Sequence, residues 1–528
     1  MRRILLGLFF VCVAACTAAD PETHTFSILH TNDLHAHLLP LTANGESCRP
    51  ENDPDCLGGF ARIAGYVGRR RAEEPDLLLF DAGDRFSGTL FYTLHKSRDI
   101  SMLMNQMDYT AMTLGNHDFD DGNEELERFV RSVSAPVLAA NVIFPDSSSL
   151  SSLILPSTMI EKNGLKIGLV GLVTEETPHS TAGASEAGFR PLLPYLQNEV
   201  RKLRKKGAVL IIVISHIGYE KDREIAAAAE GINIIVGGHS HTLLSNSPLE
   251  KSEGKYPTIV YAPDGRPVFI VTAGKGGRHV GDFKVTVSGE GEIISFSGDT
   301  RRMDVRIPEN EEIRRQVAVY AADVEAARRQ PVFVSSGPIR MDKGGACTTE
   351  CPLGEAVTDV LYEAFAPVDV VMINAGALRR PLPGGNVSFG DLAETYPFEN
   401  EAVLVRLTGR QIRDMLEHGA ARYRKGKRTN AFLQTAGLSY AVSPDRPAGQ
   451  RVSDIRLLKD GRAVPLMTDR LYTVLTADFT ANGGDGFPVR KQMEKTGRKV
   501  RDALVSALSE KKSLKVRPAK RIRLKTEN

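Results

Sequence analysis

Residues 208–241 read AVLIIVISHIGYEKDREIAAAAEGINIIVGGHSH. Two apolar, β-branched runs, AVLIIVI and INIIV, flank a stretch at 219–230 with helical character. Unbroken apolar strands of this kind belong in a covered sheet, and the strand–helix–strand order predicts an α/β fold. Each run closes on polar residues: Ser215-His216 after the first, Gly237-Gly238-His239-Ser240-His241 after the second. An open α/β domain collects its ligands at the carboxyl ends of its strands, so the two strand ends point to one shared site.

Three earlier runs repeat the arrangement. SILHT leads into Asn32-Asp33-Leu34-His35, LLLFDA into Gly83-Asp84, and TAMTL into Gly115-Asn116-His117-Asp118. A lone strand-end Asp is usually a helix cap or turn residue, and a lone His is more often a satisfied polar group than a ligand. Independent turns have no reason to place His, Asp and Asn after successive strands, so the motifs weigh more together than singly. The potential ligands are Asp33, His35, Asp84, Asn116, His216, His239 and His241. Imidazole and oxygen donors suit borderline cations such as Zn²⁺, Mn²⁺ or Fe, and the set is too large for one ion and right for two.

In this order, DLH, GD, GNHD, H and GHSH resemble the signature of the calcineurin-like metallophosphoesterases. The flanking text HTNDLHAHL (30–38), GGFARIA (58–64), GNHDFD (115–120) and ANGGDGFP (481–488) is similar to that of the 5'-nucleotidase family, which includes UDP-sugar hydrolases and 2',3'-cyclic-nucleotide phosphodiesterases. The likeness runs from about residue 26 to the last strand near residue 523. It implies an N-terminal metallophosphoesterase αββα sandwich over 26–303, a linker helix over 308–330, and a C-terminal α/β nucleotide-binding domain over 331–528. It implies that Asp84 bridges two divalent ions, one held by Asp33, His35 and His241 and the other by Asn116, His216 and His239. Two such ions, about 4 Å apart, lower the pKa of a bridging hydroxide and hold a phosphate for in-line attack. The resemblance gives His117 a contact with the phosphate, with Asp120 orienting its imidazole. Asp118 better suits a buried cap or a supporting partner.

The same likeness extends to the substrate. Asn374-Ala375-Gly376-Ala377-Leu378-Arg379 resembles the family's Asn-x-Gly-Gly-Ile-Arg, so Arg379 is expected to grip phosphate as a bidentate fork. Ala377 replaces the second Gly there, and Leu378 the Ile. Arg410 matches a second basic position, Phe432 and Phe479 two base-stacking rings, Gln434 a base contact and Asp485 a ribose contact. Taken alone, each Phe is far more often core; only the motif match argues otherwise. The substrate implied is a nucleoside 5'-monophosphate, with a UDP-sugar or a cyclic nucleotide as alternatives. A surface lipoprotein that binds nucleotides without cleaving them is the alternative from another class. A thiosulfate-ester hydrolase is disfavoured by the Phe432, Phe479 and Asp485 set.

The chain of 528 residues predicts two or three domains, and 67 basic against 65 acidic residues give no bulk field to attract a nucleic-acid polymer. Residues 1–19 are expected to be a secretory leader: Arg2 and Arg3 precede the apolar ILLGLFFVCVAA. Val13-Ala14-Ala15-Cys16 resembles a bacterial lipobox in which Cys16 is lipidated, which implies anchoring on the periplasmic side; plain cleavage after Ala19 is the alternative. Setting Cys12 and Cys16 aside, the six cysteines leave two close pairs, Cys48/Cys56 and Cys347/Cys351. Disulfides fit an exported chain, and a Cys₄ zinc site lacks its usual C-x₂-C spacing.

In the second half, DVVMINA (369–375), AVLVRL (402–407) and LYTVLTA (471–477) read as strands, and 353–365 and 408–421 as helices. Pro308-Glu309-Asn310-Glu311-Glu312 marks a helix start and Pro331 its stop; the helix reads as a connector or as one more surface helix of the first domain, and the resemblance favours the connector. The basic tail is expected to be a solvated end with one short edge strand, RIRL.

Overall fold

The structure, a computed structural model, describes residues 23–42, 47–48, 55–181, 183–184, 186–342, 347–398, 400–423, 429–459, 461–488, 492–515 and 520–525. The expected leader and Cys16 lie outside the described residues.

Two six-stranded sheets pack face to face in the first half of the chain. One runs in the order Ile293–Arg302, His279–Ser288, Thr23–Thr31, Leu78–Asp81, Ala111–Thr113, Val137–Leu138. The other runs Thr258–Tyr261, Pro267–Val271, Ile234–Gly237, Leu210–His216, Leu165–Val173, Ser157–Lys162. The unbroken apolar run at 210–214 is explained by the two-residue period of a strand. Leu210, Ile212 and Ile214 enter the core between the sheets with Ile28, Phe80 and Val236, while Ile211 and Val213 face outward against the helix Leu192–Lys205 through Leu196 and Val200. Helices Phe60–Glu73, Ser97–Met107 and Gly122–Ser132 cover the other outer face. The result is the αββα sandwich.

Strands Thr23–Thr31, Leu78–Asp81 and Ala111–Thr113 are mutually parallel, as are Leu165–Val173, Leu210–His216 and Ile234–Gly237. All the ligand-bearing turns therefore leave at carboxyl ends, and the paired sheets bring those ends to one edge of the sandwich.

The helix Glu311–Arg328 follows. Asn310 caps it by accepting from the Ile313 amide at 3.0 Å, and Pro331 lies just past its last turn. It packs on Phe60–Glu73 and Leu90–His95 and, further along, on Phe389–Thr395, where Arg328 lies against Gly390. It thus touches both halves of the chain. The second domain is built on a mixed sheet ordered Leu433–Ala436, Val370–Asn374, Leu471–Ala477, Glu401–Thr408, Met493–Lys499. Helices Pro352–Ala364, Gly409–Ala421 and Val500–Lys511 pack on it, the second started by a capping box between Thr408 and Gln411. Ile522–Leu524 forms the short edge strand expected of RIRL. Cys48 is bonded to Cys56 and Cys347 to Cys351. A direct ion pair also links the domains: Lys499 Nζ lies 3.1 Å from Asp121 Oδ1, and Lys96 holds the other oxygen at 2.9 Å. Among the described residues no helix is long and apolar enough to cross a membrane.

Candidate metal centre

Two clusters form where the strands end. Asp33, His35 and His241 bring their ligand atoms within 4.8 Å of one another, and so do Asp84, His216 and His239. His35 Nε2 lies 3.1 Å from His241 Nε2, and His241 Nε2 lies 3.5 Å from Asp33 Oδ1. In the second cluster His216 Nε2 lies 3.2 Å from Asp84 Oδ2, and Asn116 Oδ1 approaches His239 Nδ1 at 2.8 Å. Asp84 Oδ2 is also 3.9 Å from His35 Nε2, so one carboxylate reaches both groups.

The backbone is bent to achieve this. Asp33 (φ 50°), His35 (47°), Asp84 (57°), His239 (76°) and His241 (56°) all sit in the left-handed region, which costs a side-chain-bearing residue roughly 1–2 kcal/mol. Such strain persists only where the surroundings over-determine it. Asn32 donates to Asp33 Oδ2 at 2.7 Å and to Gly274 O, and accepts from the Ala273 amide; the His239 amide donates to Asp33 Oδ2 at 3.0 Å. Gly115 has no alternative: a Cβ there would lie 2.1 Å from Asp84 Oδ1.

Beneath the site lies a buried ionic layer that the motifs did not announce. Arg85, 0% exposed, reaches Asp81 Oδ1 at 2.9 Å and Asp118 Oδ2 at 2.5 Å. Asp118 also accepts from the amides of Gly115 and Arg85, which ties the Gly83–Arg85 turn to the Gly115–Asp118 turn. Ser215 donates to the buried carboxyl of Asp222, pinning the strand end that carries His216. Arg85 follows a ligand directly, yet no spacing rule distinguishes a buried arginine from a surface one.

Does a cation fit? His216 Nδ1 approaches the Ala82 carbonyl at 2.6 Å as the donor, which directs the Nε2 lone pair toward Asp84. That buried Nε2 has no hydrogen-bond partner among the described residues. A lone pair facing a carboxylate calls for a positive charge between them. A proton can occupy the same place as a cation: burial opposes charge on His216, but Asp84 overrides it and lifts the pKa to about 9. Burial, reinforced by Asp84, pushes Asp33 up to about 7, whereas burial on Asp84 itself is outweighed by His216 and His117 and its carboxyl stays well below the usual range. Burial holds His239 and His241 down at about 4, neutral as ligands require. The donor set fits divalent metal.

His117 lies outside both ligand clusters, its ring 5.4 Å from that of His35. Its amide donates to Asp84 Oδ1 at 2.8 Å, while its ring turns away to set Nδ1 2.9 Å from Asp120 Oδ2. Burial disfavours its charge, but Asp120 and Asp84 overcome that and raise the pKa to about 10. Ser87 donates to the same Asp120 oxygen.

The second domain brings some of the expected substrate residues together. Asn374 Nδ2 donates to Asp485 Oδ2 at 2.8 Å, and Phe479 lies half-buried with Gly484 seated on its ring, where a Cβ would come within 2.4 Å of Cζ. Arg379 is exposed, its guanidinium 5.0 Å from the Phe398 ring centre. Arg410, also exposed, pairs with Asp469 at 3.4 Å.

Two expectations change. Phe432 is only 1% exposed, packed in the domain core with Tyr423 beside it at 6.0 Å, so it offers no open face for a base. Gln434 is likewise 1% exposed, and its amide is spent on main chain: Nε2 donates to Thr349 O at 2.6 Å and Oε1 accepts from the Cys351 amide at 3.2 Å. It braces the disulfide loop.

An αββα sandwich with His, Asp and Asn converging at its strand ends defines a metal-dependent phosphoesterase of the calcineurin-like class, and the calcineurin-like phosphoesterase family model matches residues 26–243. The model of the 5'-nucleotidase C-terminal domain matches residues 332–492. Human 5'-nucleotidase is 33% identical over 88% of this chain and 84% of its own length, and the venom 5'-nucleotidase of Naja atra is 31% identical over 88% and 91%. The crystal structure of a 5'-nucleotidase precursor from Thermus thermophilus superposes with a TM-score of 0.73 at 32% identity, covering 95% of this chain and 99% of that one. The chain belongs to the 5'-nucleotidase family.

Proposed function

We propose that this protein is an exported phosphohydrolase that uses two metal ions to convert nucleoside 5'-monophosphates to nucleoside and phosphate. The observation that carries it is the pair of ligand clusters joined by Asp84. When bound, two divalent ions, of which Zn, Mn and Fe suit these donors, supply an activated water and neutralise the charge of the phosphate. The chain's own residues do the rest. Asp33, His35 and His241 would hold one ion and Asn116, His216 and His239 the other, with the Asp84 carboxylate placed to reach both groups. His117, charged through Asp120, places a proton donor where negative charge develops on the phosphate oxygens.

The second domain would supply the nucleotide grip. Phe479 stacks the base on the face that Gly484 leaves open, Asp485 accepts from ribose hydroxyls, and Arg379 with Arg410 draws the phosphate. The 5'-nucleotidase names of the relatives support a nucleotide substrate. Export, with Cys16 lipidated on the periplasmic side of a bacterial membrane, rests on the leader sequence.

The test is phosphate release by protein lacking residues 1–19 from AMP, UDP-glucose and 2',3'-cyclic AMP, with added Mn²⁺ or Zn²⁺ and with EDTA. AMP is expected to be the best substrate, and EDTA to stop turnover. Preference for UDP-glucose or the cyclic nucleotide would replace the substrate assignment, and no turnover with any metal would overturn the enzymatic reading.

A further inference from the structure

We infer that His418 is a positioning residue for the nucleoside half of the substrate, acting through the Asp485 turn; this rests on the nucleotide-hydrolase reading above. His418 lies near the end of the helix Gly409–Ala421 and is half-buried. Its Nε2 donates to the main-chain carbonyl of Asp485 at 2.9 Å. The ring packs on Phe487, with centroids 4.7 Å apart, and a Cβ at Gly486 would come within 3.3 Å of it.

What this bond holds in place is strained. Asp485 has φ 55° and ψ 16°, between Gly483 at φ 98° and Gly486 at φ 80°. Two hydrogen bonds from outside the turn secure it: His418 on the backbone carbonyl and Asn374 on the side-chain carboxylate. The same turn carries Gly484, which lies against one face of Phe479. One imidazole therefore governs both the direction of the Asp485 carboxylate and the support behind the Phe479 ring. If His418 lets go, the left-handed turn relaxes, the carboxylate swings, and the ring loses its backing. Neither change reaches the metal cluster, so the chemical step on a small phosphoester is untouched.

The split between substrates tests this. His418→Ala is expected to raise KM for AMP about tenfold, the upper end of what one half-buried hydrogen bond contributes, with kcat within about twofold. KM and kcat for p-nitrophenyl phosphate are expected to stay at the wild-type values, and the Ki of adenosine as a competitive inhibitor to rise with KM. His418→Gln keeps an amide donor and is expected to recover part of the loss, which separates the hydrogen bond from ring packing. Equal losses on AMP and on the nitrophenyl ester, or an unchanged KM for AMP in the alanine variant, would overturn the inference. If wild-type protein cleaves the nitrophenyl ester but no nucleotide, the nucleotide reading itself falls and this inference with it. If wild-type protein cleaves AMP and His418→Ala matches it, only this inference falls.

Discussion

The metal centre and the candidate nucleotide site are built on opposite plans. At the metal centre, Asp33 is 0% exposed, gripped by Asn32 and the His239 amide, and a buried Asp81–Arg85–Asp118 layer underlies the turns that carry Asp84 and Asn116. In the second domain, Asp485 is half-buried on two hydrogen bonds, and Arg379 and Arg410 are exposed. Rigidity is concentrated where the metal ligands converge. A metal pair needs its ligands fixed within a few tenths of an ångström before anything binds. A nucleotide brings its own rigid base, and exposed side chains such as Arg410 can close on it.

The largest effect is expected from removing the residue shared by both clusters. Asp84→Ala is expected to abolish phosphate release and to lower the bound metal per chain measured by elemental analysis; full metal content with activity would refute the bridging role. Next in size, His117→Ala should lower kcat by about 10²–10³-fold with little change in KM for AMP, because its contribution belongs to the transition state. A change confined to KM would mean that His117 only binds.

In the second domain the two phenylalanines separate substrate grip from core packing. Phe479→Ala is expected to raise KM for AMP about tenfold and leave p-nitrophenyl phosphate alone, in line with about 1–3 kcal/mol for one stacked base. Phe432→Ala is expected instead to cost about 3–5 kcal/mol of stability in the second domain, read by urea unfolding, as for a buried ring. A Phe432 variant with native stability and a raised KM would return that ring to the substrate. Smallest in its effect on turnover, Arg85→Met should lower thermal stability while keeping measurable activity, since it strands two buried carboxylates rather than a ligand. Unchanged melting would show that the ionic layer carries no load.

How much of this was readable in the sequence follows from what periodicity reports. Strand ends are fixed by apolar runs, so the seven potential ligands stood out, and the structure gathers them at one edge. The helices expected at 353–365 and 408–421 are found at Pro352–Ala364 and Gly409–Ala421 for the same reason. Which way a side chain faces at the start of a strand is another matter. Phe432 and Gln434 matched a motif, but both pack inward, Phe432 beside Tyr423 and Gln434 under the helix Pro352–Ala364, where a Cβ on Gly354 would lie 2.0 Å from Gln434 Oε1. Arg85 and His418 were silent because their partners lie far off in sequence: Asp118 is 33 residues from Arg85, and Asp485 is 67 from His418.

The ion pair between Lys499 and Asp121 joins residues 378 positions apart, and Asp121 is the neighbour of the Asp120 that faces His117. Burial opposes the Asp121 charge, but Lys499 and Lys96 outweigh it and keep the carboxyl ionised. Withdrawing Lys499 would leave Asp121 with Lys96 alone to offset its burial, so the contact favours the seated position of the second domain by the free energy that Lys499 contributes to keeping that carboxylate charged.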